Sequence, residues 1–183
     1  MATYKRLLLI ASCAFFYYWC FYLNKFIFDE YEFSFGVNWI FIPSGLQLVM
    51  VLIAIEDAAI GIGLASLLIG LDNYQLESLT RTLVTAVISG GSPLLARKIC
   101  LDFLGIDNEL FKLTPKSILV MSIVFSVLSA TLHQIWFSYN GVTQQFAQSL
   151  FVMAIGDLFG TALVLTLIST ASKFIQKPPA PHL

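Results

Sequence analysis

Charge is what this chain lacks most: 10 Lys and Arg and 11 Asp and Glu among 183 residues amount to 11% of the sequence, against about 25% in an ordinary soluble domain. So little polar surface cannot keep a folded monomer in solution. A formal net charge of -1 also removes the electrostatic basis for binding nucleic acid. Cysteine is scarce as well. Cys13, Cys20 and Cys100 are odd in number, fall in or beside apolar stretches and lack a short Cys-x-x-Cys spacing, which excludes a disulfide framework and a thiolate metal site and leaves small packing residues. Histidine is limited to His133 and His182. One deep histidine and one deep carboxylate do not make a metal centre, and no paired-carboxylate, Ser-His or Cys-His arrangement is present to carry a reaction. Gly61-Ile62-Gly63 lacks the strand and helix context of a nucleotide loop. A non-enzyme without metal or cofactor is expected.

What fills the chain instead is apolar sequence: 58% of residues are hydrophobic and mean hydropathy is +0.83. A bilayer span needs ~20 mostly apolar residues, and six segments qualify as candidates: 7–28, 37–55, 58–71, 79–99, 117–139 and 146–172. They predict an all-α, polytopic membrane bundle, one domain over 1–177, with a Pro-rich extended tail at 178–183. The segment 58–71 is short for a full crossing, but the basic residues favour one. With six crossings, Lys5, Arg6, Arg97, Lys98, Lys112, Lys116, Lys173 and Lys177 share the cytoplasmic side with both termini, leaving only Lys25 and Arg81 outside. The first segment follows Lys5 and Arg6 but has no small-residue cleavage site, so it reads as a retained anchor. Its far end, Asp29-Glu30-Tyr31-Glu32, reads as a solvated loop at the outer interface.

Polar groups inside apolar segments are the material for a site. Asp157 lies in Gly156-Asp157-Leu158-Phe159-Gly160, roughly 16 Å along its helix at ~1.5 Å per residue. A carboxylate at that depth is a functional candidate and should face other helices or a water-filled cavity. Arg81 and His133 are expected in the outer half with it, either one a candidate hydrogen-bonding or ionic partner. Snorkelling of Arg81 to the interface and a purely structural hydrogen bond for His133 remain open alternatives. Pro43-Ser44-Gly45 and Ser89-Gly90-Gly91-Ser92-Pro93 should each make a helix kink or restart, because proline removes an N–H and clashes with the preceding turn. Such breaks frame substrate sites in transporters, so Asn38, Trp39, Pro43, Ser44, Gly45 and Gln47 join the candidate ligand-binding set. Small residues spaced by four, at Gly156/Gly160, Ala59/Gly63 and Ser122/Ser126/Ala130, allow close helix contact within a monomer or between two copies.

The run Asn38-Trp39-Ile40-Phe41-Ile42-Pro43-Ser44-Gly45-Leu46, then Gly61-Ile62-Gly63-Leu64 and Gly156-Asp157-Leu158-Phe159-Gly160, resembles the membrane-associated sensor domains of the MASE type one. That resemblance implies a non-enzymatic sensing domain that passes a signal to a histidine kinase or diguanylate cyclase module. The chain departs from the family in being shorter, with six predicted helices where about eight are usual, and in showing no output domain after Lys177. A multi-pass sensor-like protein of a bacterial inner membrane follows as the leading expectation, binding a small or lipidic ligand in an outer-half cavity and signalling through a separate partner. A substrate-binding membrane component of a transporter and a structural subunit of a larger membrane complex remain the alternatives.

Overall fold

The computed structural model describes residues 3–73, 79–105 and 114–175. Lys112, Lys177, His182 and the tail 178–183 lie outside them. The elements are α1 (Thr3–Phe28), a 3-10 turn (Asp29–Tyr31), strands β1 (Glu32–Ser34) and β2 (Val37–Asn38), α2 (Ile42–Asn73), α3 (Leu79–Leu104), α4 (Pro115–Tyr139) and α5 (Phe146–Ile175). Five helices are long and apolar enough to cross a membrane. Their interior mixes apolar and polar side chains, and their outward face is apolar. Asn24, Gln47, His133, Gln134, Asp157 and seven serines are buried, while Phe15, Phe16, Trp19, Leu23 and Phe26 of α1 are exposed. A helix that is apolar on its outward face and packed on its polar one suits a lipid solvent, not water.

α2 is not one straight rod. At ~1.5 Å per residue a straight helix would separate Ile42 from Asp72 by about 45 Å. Yet the Ile42 N–H donates to Asn24 Oδ1 of α1 at 2.8 Å, and Asp72 accepts the hydroxyls of Tyr18 and Tyr22 of α1 at 2.7 and 3.2 Å. Asp57, between them in sequence, pairs with Arg6 at the other end of α1 at 2.7 Å. The element therefore descends, reverses and climbs back. The reversal is at Ile55, whose φ of 45° and ψ of -113° are non-helical; it is the one non-glycine with positive φ among the described residues. For a β-branched side chain that is a strained conformation. The candidate segments 37–55, from Ile42 onward, and 58–71 thus fall in the two limbs of one helical hairpin.

Two expectations are corrected. Val37 to Phe41 were expected in a helix but lie outside one. Val37 and Asn38 belong to a β-hairpin in which Glu32 pairs with Asn38 and Ser34 with Val37, turned at Gly36 with φ 67°, and residues 39–41 lead from it to the helix. Val37 is fully buried against Ala130, Val152 and Met153 of α4 and α5, so the hairpin is inserted into the bundle. Close backbone approach enforces this: a Cβ at Gly156 would collide with the Asn38 carbonyl, and one at Gly160 with the Phe41 carbonyl. The Phe41 N–H also donates to Gly156 O at 3.1 Å. The helix begins only at Ile42, and Pro43 falls in its first turn, where its missing N–H costs nothing.

The second correction concerns Pro93, which does not interrupt α3; the helix runs through it. Proline at that position frees the carbonyl four residues back, that of Ser89. Gln47 Nε2 of α2 donates to Ser89 O at 3.2 Å and satisfies it. The small-residue stripes act within the chain. Gly156 and Gly160 receive the segment before α2, and Gly90 of α3 meets Ala59 and Gly63 of the returning limb of α2.

Candidate functional site

The end of the bundle that carries the β-hairpin holds a cavity of about 140 Å³. α1 contributes Tyr17, Phe21, Asn24 and Lys25; the hairpin and its preceding turn contribute Asp29, Glu32, Phe35, Gly36 and Asn38. The returning limb of α2 supplies Ser66, Ile69 and Gly70, and α4 supplies His133 and Phe137. α3 presents Arg81, Thr82, Thr85 and Ser89 to it, and Thr82, Thr85 and Ser89 share one face of a helix by their spacing of three and four. The enclosure is comparable in size to an apolar cavity that takes a benzene-sized solute, but its wall is mixed. Aromatic rings face hydroxyls, an imidazole and a guanidinium.

Several polar wall groups are held in place by hydrogen bonds across the helices. His133 is buried, with Nδ1 at 2.9 Å from Ser129 O of its own helix and Nε2 at 3.3 Å from Ser89 Oγ. Ser89 Oγ also accepts from the Ser66 hydroxyl at 3.0 Å, which ties α2, α3 and α4 together at one level. Gln47 Nε2 reaches the Tyr17 hydroxyl at 3.1 Å and fixes that ring on the wall. The Arg81 guanidinium sits over the Phe35 ring, 5.7 Å from its centroid, a favourable cation–π geometry. Trp136 Nε1 donates to the Arg81 carbonyl at 3.2 Å.

The candidate residues from the sequence separate into two groups. Arg81, His133 and Asn38 line the cavity; Asp157, Trp39, Pro43, Ser44, Gly45 and Gln47 do not. Trp39 is partly exposed and packs edge-on against Phe33. Pro43, Ser44 and Gly45 pack against α5, where Ser44 Oγ lies 2.7 Å from the Asp157 carbonyl and a Cβ on Gly45 would meet Gly160 and Thr161. Gln47 stands one layer behind the wall.

Asp157, for which Arg81 and His133 were candidate partners, keeps its Oδ2 buried without a hydrogen-bond partner among the described residues. Asp29 and Glu32, expected in a solvated loop, are exposed and also border the cavity. Tyr17, Ser66, Thr82, Thr85 and Ser89 also line the cavity and were not among the candidates. Among the described residues no group of three or more His, Cys, Asp and Glu could hold a metal ion.

The fold and the cavity define an all-helical bundle with helices long and apolar enough for a membrane and a polar-aromatic chamber near one end. No family model, no curated protein and no solved structure matches the chain.

Proposed function

We propose that this chain is a non-enzymatic, sensor-like integral protein of a bacterial inner membrane that binds a small or lipidic ligand in its hairpin-end cavity and signals through a separate partner. Six crossings with both termini cytoplasmic fit the doubling back of α2 at Ile55. They also fit the gathering of Lys5, Arg6, Arg97, Lys98, Lys116 and Lys173 toward the end opposite the hairpin. In that orientation the cavity occupies the outer half.

The observation that carries the reading is the composition of the cavity wall. Largely apolar chambers with a few positioned polar groups are the ordinary form of small-molecule sites. Here Arg81, Thr82, Thr85, Ser89 and His133 supply the polar side and Phe21, Phe35, Phe41 and Phe137 the apolar one. The inserted hairpin and the returning limb of α2 both touch this chamber, so a ligand that prefers one setting of the hairpin would bias the helices behind it.

Native mass spectrometry of the protein released gently from its own membrane tests this. A small molecule bound stoichiometrically to wild type and lost from Arg81→Ala supports the reading. A ligand-free protein held in a larger complex overturns it in favour of a structural subunit.

A further inference from the structure

The helical hydroxyls direct their protons in two ways. Ser12, Ser122, Ser126, Thr131, Thr161 and Thr166 each return theirs to the carbonyl four residues earlier on the same helix. Ser66, Ser89, Tyr17 and Thr85, on the cavity wall, do not. Ser66 donates to Ser89 Oγ at 3.0 Å. The Ser129 carbonyl can only accept, so His133 Nδ1 carries the proton of their 2.9 Å contact and Nε2 takes that of Ser89 at 3.3 Å. This chain runs one way, from the returning limb of α2 through α3 to α4, and places every side-chain proton it has. Tyr17 differs: its oxygen accepts from Gln47 Nε2 at 3.1 Å, while its proton has no acceptor among the described residues although the residue is only 3% exposed. Thr85 makes no side-chain hydrogen bond among them either.

The two unused donors belong to one chamber. Tyr17 lines it from α1 and Thr85 from α3, and both helices pack on α2. One amide nitrogen, Gln47 Nε2, reaches the Tyr17 hydroxyl at 3.1 Å and the Ser89 carbonyl at 3.2 Å, which sets that hydroxyl at the Ser89 level. Thr85 is about one turn, ~5.4 Å, from Ser89 on the same face of α3, so the two hydroxyls can meet opposite edges of one ring. A buried donor without an acceptor is costly, and an oxygen brought by a ligand removes that cost. The charged residues around the chamber, Lys25 and Arg81 against Asp29 and Glu32, balance in sign and are all at least partly exposed. No surplus charge is there to select an ion.

We propose that the cavity takes an uncharged single ring bearing two carbonyl oxygens, the para-quinone class, with Tyr17 donating to one oxygen and Thr85 to the other. The inference rests on the cavity being the ligand site and names what it holds. A volume of about 140 Å³ suits one ring, and Phe21, Phe41 and Phe137 offer its faces aromatic contact. Carbonyl oxygens need donors and bring no protons of their own, so both hydroxyls are satisfied and no polar group of the ring is left unpaired.

The test is thermal unfolding of the purified full chain in detergent, titrated with tetramethyl-para-benzoquinone, whose substituted ring cannot add to the cysteines, and with tetramethylbenzene, the same ring without oxygens. The quinone should raise the midpoint saturably and the hydrocarbon should not. Tyr17→Phe and Thr85→Val should each weaken the apparent affinity for the quinone about tenfold. If Tyr17→Phe does not fold, Thr85→Val decides. Equal responses to the two rings would show a merely apolar chamber and overturn the proposal, as would a quinone response unchanged in both variants. A decyl-tailed trimethyl-para-benzoquinone identifies the source: tighter binding than the tail-less ring assigns the ligand to the membrane, and equal binding assigns it to water, with the ring upheld in both cases. An acid or an amine found by native mass spectrometry and lost from Arg81→Ala, with no quinone response, would sink this proposal and leave the cavity reading standing. A ligand-free protein that also ignores the quinone would sink both.

Discussion

Pro43 and Pro93 sit in similar company, each among glycine and serine inside an apolar segment, and the fold treats them oppositely. Pro43 opens α2, where its missing N–H is of no consequence, and the extended chain before it is carried on Gly156 and Gly160. Pro93 stays inside α3, and the carbonyl it frees is taken up by Gln47. Asn24 does the corresponding service at the first site, accepting from Ile42 N–H and donating to Ile40 O at 3.3 Å. In an apolar solvent each backbone irregularity needs a side-chain escort. Several polar residues that look like site material are such escorts.

The comparison can be broken most severely at Gly160. Gly160→Val places a side chain against the Phe41 backbone, which cannot yield as a side chain would, and should cost about 3 kcal/mol or more, displacing the hairpin. Loss of the cooperative unfolding transition in detergent would register it. Gln47→Leu comes next: it strands the Ser89 carbonyl and should cost about 1–3 kcal/mol. The same change made in a Pro93→Ala background should cost clearly less, since alanine at that position restores the N–H that the Ser89 carbonyl lacked as a partner. A double-mutant cycle showing no coupling would refute the escort role of Gln47. Asn24→Ala, which uncaps α2, should cost about 1 kcal/mol, read as faster amide exchange in the first turn of α2. The smallest effect is a gain. Ile55→Gly relieves a strained dihedral and should stabilise by about 0.5–1 kcal/mol in the same unfolding experiment, because part of the relief is offset by the greater chain entropy of glycine.

The helical bundle could be read from the apolar runs because lipid demands long uninterrupted segments, and the boundary between segments 37–55 and 58–71 falls where α2 turns. The β-hairpin could not. Its strands are short and its second one lies inside an apolar run, so a helical period and an extended one look alike there. At the site, Arg81 and His133 stood out as costly groups at depth, whereas Thr82, Thr85 and Ser89 did not, since hydroxyls are cheap and common in membrane helices. Gln47 was misassigned for a different reason. Its partners, Ser89 and Tyr17, are remote in sequence, and no local pattern reveals that an amide serves a carbonyl freed by a proline on another helix.

The turn at Ile55 also bears on how this protein reaches and presents itself in a membrane. Its two limbs are joined with no intervening loop, so neither can be threaded in alone and the pair should enter the bilayer together as a preformed hairpin. A protease or a reporter fused between the limbs would find no tether to act on at that face. With the six crossings proposed above, accessibility mapping would count one segment fewer.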